Sequence, residues 1–249
     1  MKRFAAFTLV GLLVIGAQSS AVQASTSSPY VDGILALQPG VTAEELQQQV
    51  EEVALSTGLD EGEVYEKMYN EMEEQDRLGN EELAVLAKLS AVDEEVNMHG
   101  GAAASYIVGP SAQGDFYYTP SATAYINHGH VGLYYSSNVI VESIYPSGVR
   151  SISASVRTVD KGAVVKSVST TATNKANAAN WAYSQIGQPY SLNFANNRNT
   201  GHSGAKNCSK LIWSAYLQYG GLDLDVDKGL GVYPRDVRDA TQTSHKRTI

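Results

Sequence analysis

The chain has 249 residues, a net charge of −8, 15 tyrosines and a single cysteine. That length allows one substantial domain with a smaller appended region. A lone cysteine excludes an internal disulfide and any cysteine-rich zinc cluster. Acidic overall charge, with basic residues scattered rather than clustered, argues against a nucleic-acid partner. There is also no glycine-rich phosphate loop, and no cofactor is called for.

Lys2 and Arg3 precede an apolar run, Phe4 to Ile15, and small residues lead to Val22-Gln23-Ala24. This reads as a secretory signal over residues 1–24 with a small-x-small cleavage site. The run is short for a membrane span; the alternative is an uncleaved N-terminal anchor. No cysteine stands at the cleavage point, which excludes the usual lipoprotein attachment. The expected localisation is secreted, extracellular or cell-wall associated, with no transmembrane span once the signal is removed. Outside the cytoplasm a single cysteine points to a reactive thiol or an intermolecular bridge.

Residues 25–40 are polar and weakly patterned and read as a linker. Residues 41–98 read as an acidic helical region. Thr42 and Glu45 form a capping box ahead of the stripe Leu46, Val50, Val53 and Ala54. Ser56-Thr57-Gly58 ends that helix, and Asp60 with Glu63 starts a second. Gly79-Asn80 is expected to break it before a third short helix carrying Leu83, Leu86 and Leu89. The region holds seventeen acids against Lys67, Arg77 and Lys88, whereas residues 99–249 hold eight acids against thirteen Lys/Arg. A solvated helical segment accounts for this split; so does an acidic prosegment or regulatory module in contact with a basic domain.

From residue 99 onward, strand-like alternation appears in Asp115 to Tyr118, His130 to Tyr135 and Asn138 to Glu142, then in Val149 to Val159 and Ala163 to Val168. Ser136-Ser137 reads as a hairpin turn, a register that sets His130 opposite Glu142. Thr173 to Ile186 reads as a helix with Ala178, Ala179, Ala182 and Ile186 inward, closed by Gly187. After a polar loop, Cys208 opens a helix bearing Leu211, Ile212, Ala215, Tyr216 and Tyr219, stopped by Gly220-Gly221. Residues 244–249 are expected to be loose. The whole is an α+β domain large enough for its own core.

A thiol at a helix start feels the positive end of the helix dipole, which favours the thiolate; the alternative is an inert packed cysteine. A cysteine nucleophile needs a base, and the base an orienting group. Of the five histidines, His130 is best placed, and cross-strand neighbours lie within side-chain reach. Glu142 would then fix its tautomer and leave the other ring nitrogen to Cys208. A plain His–Glu surface pair is the alternative. His128-Gly129-His130 could also hold a metal, although no third ligand has an obvious spacing.

Several motifs coincide with a known family. Gly114-Asp115-Phe116, Gly129-His130-Val131-Gly132-Leu133-Tyr134 and Val139-Ile140-Val141-Glu142-Ser143 resemble the sheet half of NlpC-type papain-like cysteine peptidases. Gly187-Gln188-Pro189-Tyr190 and Asn207-Cys208-Ser209 resemble their cysteine half. Here histidine precedes cysteine, as in the circularly permuted, YiiX-like branch. The resemblance spans about Ser105 to Asp239. It implies an antiparallel sheet packed on a cysteine-bearing helix, with Cys208 as nucleophile, His130 as base and then acid, and Glu142 as third member. Ordinary members often carry a histidine or another polar residue at the position of Glu142, so Asp115 and Asp236 are kept as substitutes. Tyr190, Ser209 and Asp115 are expected at the substrate, Tyr190 lining the site or contacting the oxyanion; a core tyrosine is the other reading of Tyr190. Neither metal nor cofactor is implied. The function expected is a secreted cysteine hydrolase cleaving an amide bond in a cell-wall (peptidoglycan) peptide. Lipid or thioester acyl transfer and a non-catalytic surface-binding module are the alternatives.

Overall fold

The computed structural model describes residues 28–96, 106–121 and 127–249. The signal-like segment at residues 1–24 lies outside them. Among the described residues no helix is long and apolar enough to cross a membrane.

Three helices come first: α1 (Val31–Leu37), α2 (Ala43–Thr57) and α3 (Glu61–Val96). The stretch expected as linker thus contains α1, which buries Ile34 completely. Gly33 allows it, since a Cβ there would sit 2.4 Å from the ring of Tyr69 on α3. The Thr42/Glu45 capping box forms, and Gly58 ends α2 in the left-handed conformation that glycine adopts without strain. Asp60 and Glu63 cap the start of α3 reciprocally.

The expected break at Gly79-Asn80 does not occur; α3 runs through it. A Cβ at Gly79 would lie 1.6 Å from the main-chain oxygen of Asn127. The glycine is a notch for a neighbouring backbone rather than a stop, and Asn80 next to it accepts a hydrogen bond from Asn127 at 2.5 Å.

The sheet is antiparallel with strand order β5-β4-β3-β2-β7-β8. Its strands are β2 (Phe116–Thr119), β3 (His130–Ser136), β4 (Val139–Ile144), β5 (Gly148–Ser153), β7 (Val164–Val168) and β8 (Thr243–Thr248). A two-stranded ribbon, β1 (Tyr106–Ile107) with β6 (Thr158–Val159), stands apart from it. The tail expected to be loose is therefore the edge strand β8. Its charged side chains suit an edge, where they discourage further pairing, and Lys246 and Arg247 anchor it to Asp115 and to the carbonyl of Val108.

Two helices, α4 (Ala172–Ser184) and α5 (Cys208–Gly220), cover one face of the sheet. Ala178, Ala179 and Ala182 share a core with Leu211, Ile212, Ala215, Leu133 and Val141. Ile186, expected inward, lies beyond the end of α4 and is 40% exposed. Helix α6 (Pro234–Asp239) follows α5.

A second core joins the N-terminal helices to the loops on either side of α5: Leu46, Val50, Val64, Met68 and Met72 pack with Phe194 before it and with Leu230 and Tyr233 after it. Polar contacts reinforce it. Glu71 accepts from the N–H groups of Leu230 and Gly231, and Glu82 pairs with Arg235 and Arg238.

Candidate active site

Cys208 is the first residue of α5 and is fully buried. Asn207 caps the helix, its side-chain oxygen accepting from Lys210 N–H at 2.9 Å. Asn197 holds that oxygen from behind (3.3 Å) and ties both main-chain groups of Val232. The first-turn N–H groups of a helix have no intrahelical acceptor, so those at Cys208 point toward whatever lies beyond the helix end.

His130 opens β3 on the central part of the sheet. Ser143, next to Glu142 on β4, donates to the carbonyl of Lys206 at 2.6 Å. That bond fastens the approach to Cys208 onto the strand beside His130. The hairpin register differs from the expected one by two residues: Leu133 pairs with Val141 and Tyr134 with Ile140, with a bulge before the turn. Side chains alternate faces with period two, so an even shift keeps His130 and Glu142 on one face. Nε2 of His130 lies 3.0 Å from Oε2 of Glu142, which leaves Nδ1 for the thiol.

Cys208 acts on His130 through a side-chain hydrogen bond and through charge. Burial alone would lower the imidazole pKa, but the two contributions of Cys208, joined by Glu142, raise it from 6.5 to about 9. Burial works against the Glu142 carboxylate, yet His130, Arg157 and Tyr117 hold its pKa well below the ordinary carboxylate range. That carboxylate is fully buried and saturated: Tyr117 donates at 2.5 Å, Arg157 Nε at 2.8 Å, and Arg150 at 2.7 and 3.1 Å. The arrangement can therefore hold the imidazolium of His130 at neutral pH against the Cys208 side chain, oriented by a carboxylate that stays charged.

Tyr190 is half-buried, and its hydroxyl has no hydrogen-bond partner among the described residues. Burial and the charge at Cys208 both oppose its ionisation, so it stays a proton donor beside the thiol. Tyr190 also borders a cleft of about 430 Å³, walled by Glu45, Gln49 and Glu52 of α2 on one side and by Tyr145 and Asn193 on the other.

The remaining expected residues lie elsewhere. Ser209 is buried and donates to the carbonyl of Val232 at 2.7 Å, so it points into the protein rather than at a substrate. Asp115 binds Ser111, Lys246 and the Ala112 N–H, tying down β8, and does not join the Cys208–His130 pair. Asp236 binds the Tyr233 N–H and Gln75. His128, separated from His130 by Gly129 (φ +79°), bonds the Gly129 carbonyl and packs at a tilt against Phe194, ring centres 4.0 Å apart. The arginines around Glu142 carry little signal in the sequence. Arg150 was accessible in principle, since it stands directly opposite Glu142 on β5; Arg157 arrives from an irregular segment and leaves no pattern.

A strand histidine held by a buried carboxylate and set against a cysteine at the start of the central helix is the arrangement of papain-like thiol hydrolases. In this chain the histidine strand comes first, which is the permuted order. Residues 115–248 match the family described as permuted papain-like amidase, YaeF/YiiX, C92, and the chain belongs to that family. It is therefore a cysteine-class hydrolase of amide bonds. Over 248 residues it is 40% identical to the uncharacterized protein YycO of Bacillus subtilis (strain 168), covering all of this chain and 98% of that one. The crystal structure of the metalloprotein YiiX from Escherichia coli O157:H7 aligns at 14% identity with a TM-score of 0.42, over 56% of this chain and 98% of that one.

Proposed function

We propose that the protein is an exported amidase that cleaves a cell-wall peptide through an acyl-enzyme on Cys208. The observation that carries this reading is His130, which reaches Cys208 on one side and Glu142 at 3.0 Å on the other. The thiolate attacks the amide carbonyl carbon, and the carbonyl electrons move onto oxygen. The Cys208 N–H and the Tyr190 hydroxyl are the donors available to that oxyanion. His130 gives its proton to the leaving amine as the C–N bond breaks. It then takes a proton from water, which hydrolyses the thioester and restores the thiolate.

The export-type N-terminus supports an extracytoplasmic substrate. The cleft beside Tyr190 sets glutamates, glutamines and an asparagine beside Val41, Leu192 and two prolines, which offers a peptide both polar and apolar contacts. Because α2 forms one wall of that cleft and shares a core with Phe194 and Tyr233, we read the acidic helical region as part of the working enzyme rather than a removable cover.

The test is amine release from purified peptidoglycan peptides by the mature protein, beside Cys208→Ala and a panel of acyl esters. Release by the parent alone supports the reading. Turnover of esters with no amine release from peptides moves the acyl-transfer reading ahead.

A further inference from the structure

A second cluster lies away from the thiol, where the loop after α5 meets α3 and α6. Asp225, Asp227 and Asp236 each bring a carboxylate oxygen to within 4.8 Å of the others. Asp225 and Asp236 are buried, at 3% and 1% exposure, while Asp227 is open to solvent. Asp225 and Asp227 are in side-chain hydrogen-bond contact, and two carboxylates meet that closely only with a proton or a cation to share. Among the described residues one ion pair reaches the group: Arg198 lies 2.5 Å from Asp225, but that guanidinium also holds Asp223. Asp236 takes an amide and a main-chain N–H instead. With all three carboxylates ionised, an arginine shared with Asp223 leaves at least two negative charges, which a divalent cation would meet.

Two further buried polar groups border the cluster. Gln75 of α3 is 6% exposed, and its amide nitrogen donates to Asp236 at 3.2 Å. Its carbonyl oxygen, on the same amide, is buried with no partner among the described residues. Tyr233 is 2% exposed and its hydroxyl is likewise unpartnered; that hydroxyl lies within electrostatic reach of Glu71, then of Asp236 and Asp227. Buried polar atoms normally find partners, and an amide carbonyl is an ordinary ligand for a hard cation. The loop has a matching form. Asp223, Asp225 and Asp227 alternate, and Lys228 adopts a left-handed backbone (φ 58°), where calcium loops place glycine. Asp223 departs from that pattern, because Arg198 and Trp213 occupy it.

We propose that Asp225, Asp227, Asp236 and the side-chain carbonyl of Gln75 form a calcium site that fastens α3 to the loop beneath the Cys208 helix. Oxygen-only donors on separate elements suit Ca²⁺, which accepts irregular coordination, over Mg²⁺, which demands a near-ideal octahedron. An opening of about 410 Å³, bordered by Gln75, Asp227 and Asp236, gives an ion access. The site lies a few residues from Val232, whose main-chain groups hold Asn197 and Ser209 behind Cys208. Calcium would therefore stiffen the support of the thiol without touching it.

The test is calorimetric titration of the full mature chain with Ca²⁺ and with Mg²⁺, together with thermal unfolding at about 1 mM of either ion, a level that fills extracellular-type calcium sites. The expected result is one Ca²⁺ per chain, a higher Tm with Ca²⁺, and weaker binding of Mg²⁺. Asp227→Asn, at an exposed position that leaves the fold intact, should weaken Ca²⁺ by on the order of tenfold or more. Gln75→Met should do the same from the other side of the site. No Ca²⁺ heat and no rise in Tm would overturn the proposal, as would Ca²⁺ binding unchanged in both variants. The readout is binding, so failure here leaves the amidase reading standing, and inactivity there leaves this one standing.

Discussion

Glu142 and Arg150 stand directly opposite each other on β4 and β5, and the guanidinium grips Oε1 of the carboxylate at 2.7 Å while His130 takes Oε2 at 3.0 Å. The carboxylate is clamped from both ends, so its orientation toward the imidazole does not depend on His130 being charged.

That clamp separates the members of the proposed triad by expected cost. Cys208→Ala or His130→Ala should lower kcat/KM by about 10³-fold or more, since each removes a group that forms or breaks bonds. Glu142→Gln should cost less than either, by roughly a hundredfold, as loss of the third member of a triad does compared with loss of its nucleophile or base. It should also lower Tm, as Arg157 loses its anion in a largely buried setting. If Glu142→Gln retained the parent rate, Glu142 would not be the third member.

The pH dependence follows from the raised imidazole. The folded pKa of His130, about 9, lies above its ordinary 6.5. Its contribution to stability is thus complete below about 6.5 and disappears as pH climbs through 9. Glu142 acts in the opposite direction: its lowered pKa contributes above the ordinary 4.5 and is lost only in strong acid. The kcat/KM profile should carry an alkaline limb near pH 9 that moves to lower pH in Glu142→Gln. An alkaline limb already at 6.5 in the parent protein would show that the imidazolium is not held as described.

Tyr190→Phe keeps the ring and its edge-on contact with Tyr145 (5.8 Å) and removes only the unpartnered hydroxyl. If that hydroxyl meets the oxyanion, kcat should fall on the order of 10²-fold with little change in KM. Loss confined to KM would assign it to ground-state binding instead.

Met68 is fully buried between α1, α2 and the loop carrying Phe194. Met68→Ala should cost about 2–5 kcal/mol. Because that core includes Phe194 and Tyr233, unfolding followed by tryptophan fluorescence should remain a single transition at lower temperature. Two separated transitions would mean that the helical region folds on its own and the thiol domain does not depend on it.

The parts visible in the sequence were those with short-range patterns. Cys208 could be placed at a helix start because Leu211, Ile212 and Ala215 recur at helical spacing. His130 and Glu142 could be paired because face alternation survives a register error of two residues. What escaped depended on distant chain. Gly79 reads as a stop unless Asn127 is known to lie against it. Ser209 looks like a substrate contact until the Val232 carbonyl is seen to accept its hydrogen bond. The Thr243–Thr248 strand is too polar to announce itself, since an edge is stabilised by its partner β7 rather than by burial.

The notch at Gly79 has a consequence for variation in this chain. Asn127 precedes His130 by three residues, and any side chain at position 79 would collide with its backbone. Even Gly79→Ala, among the mildest of changes to an exposed helix elsewhere, must either bend α3 or push the start of β3 along the sheet. The helix behaves as a ruler laid against the histidine strand. A residue in the region that looks least like a hydrolase thereby sets where the imidazole stands.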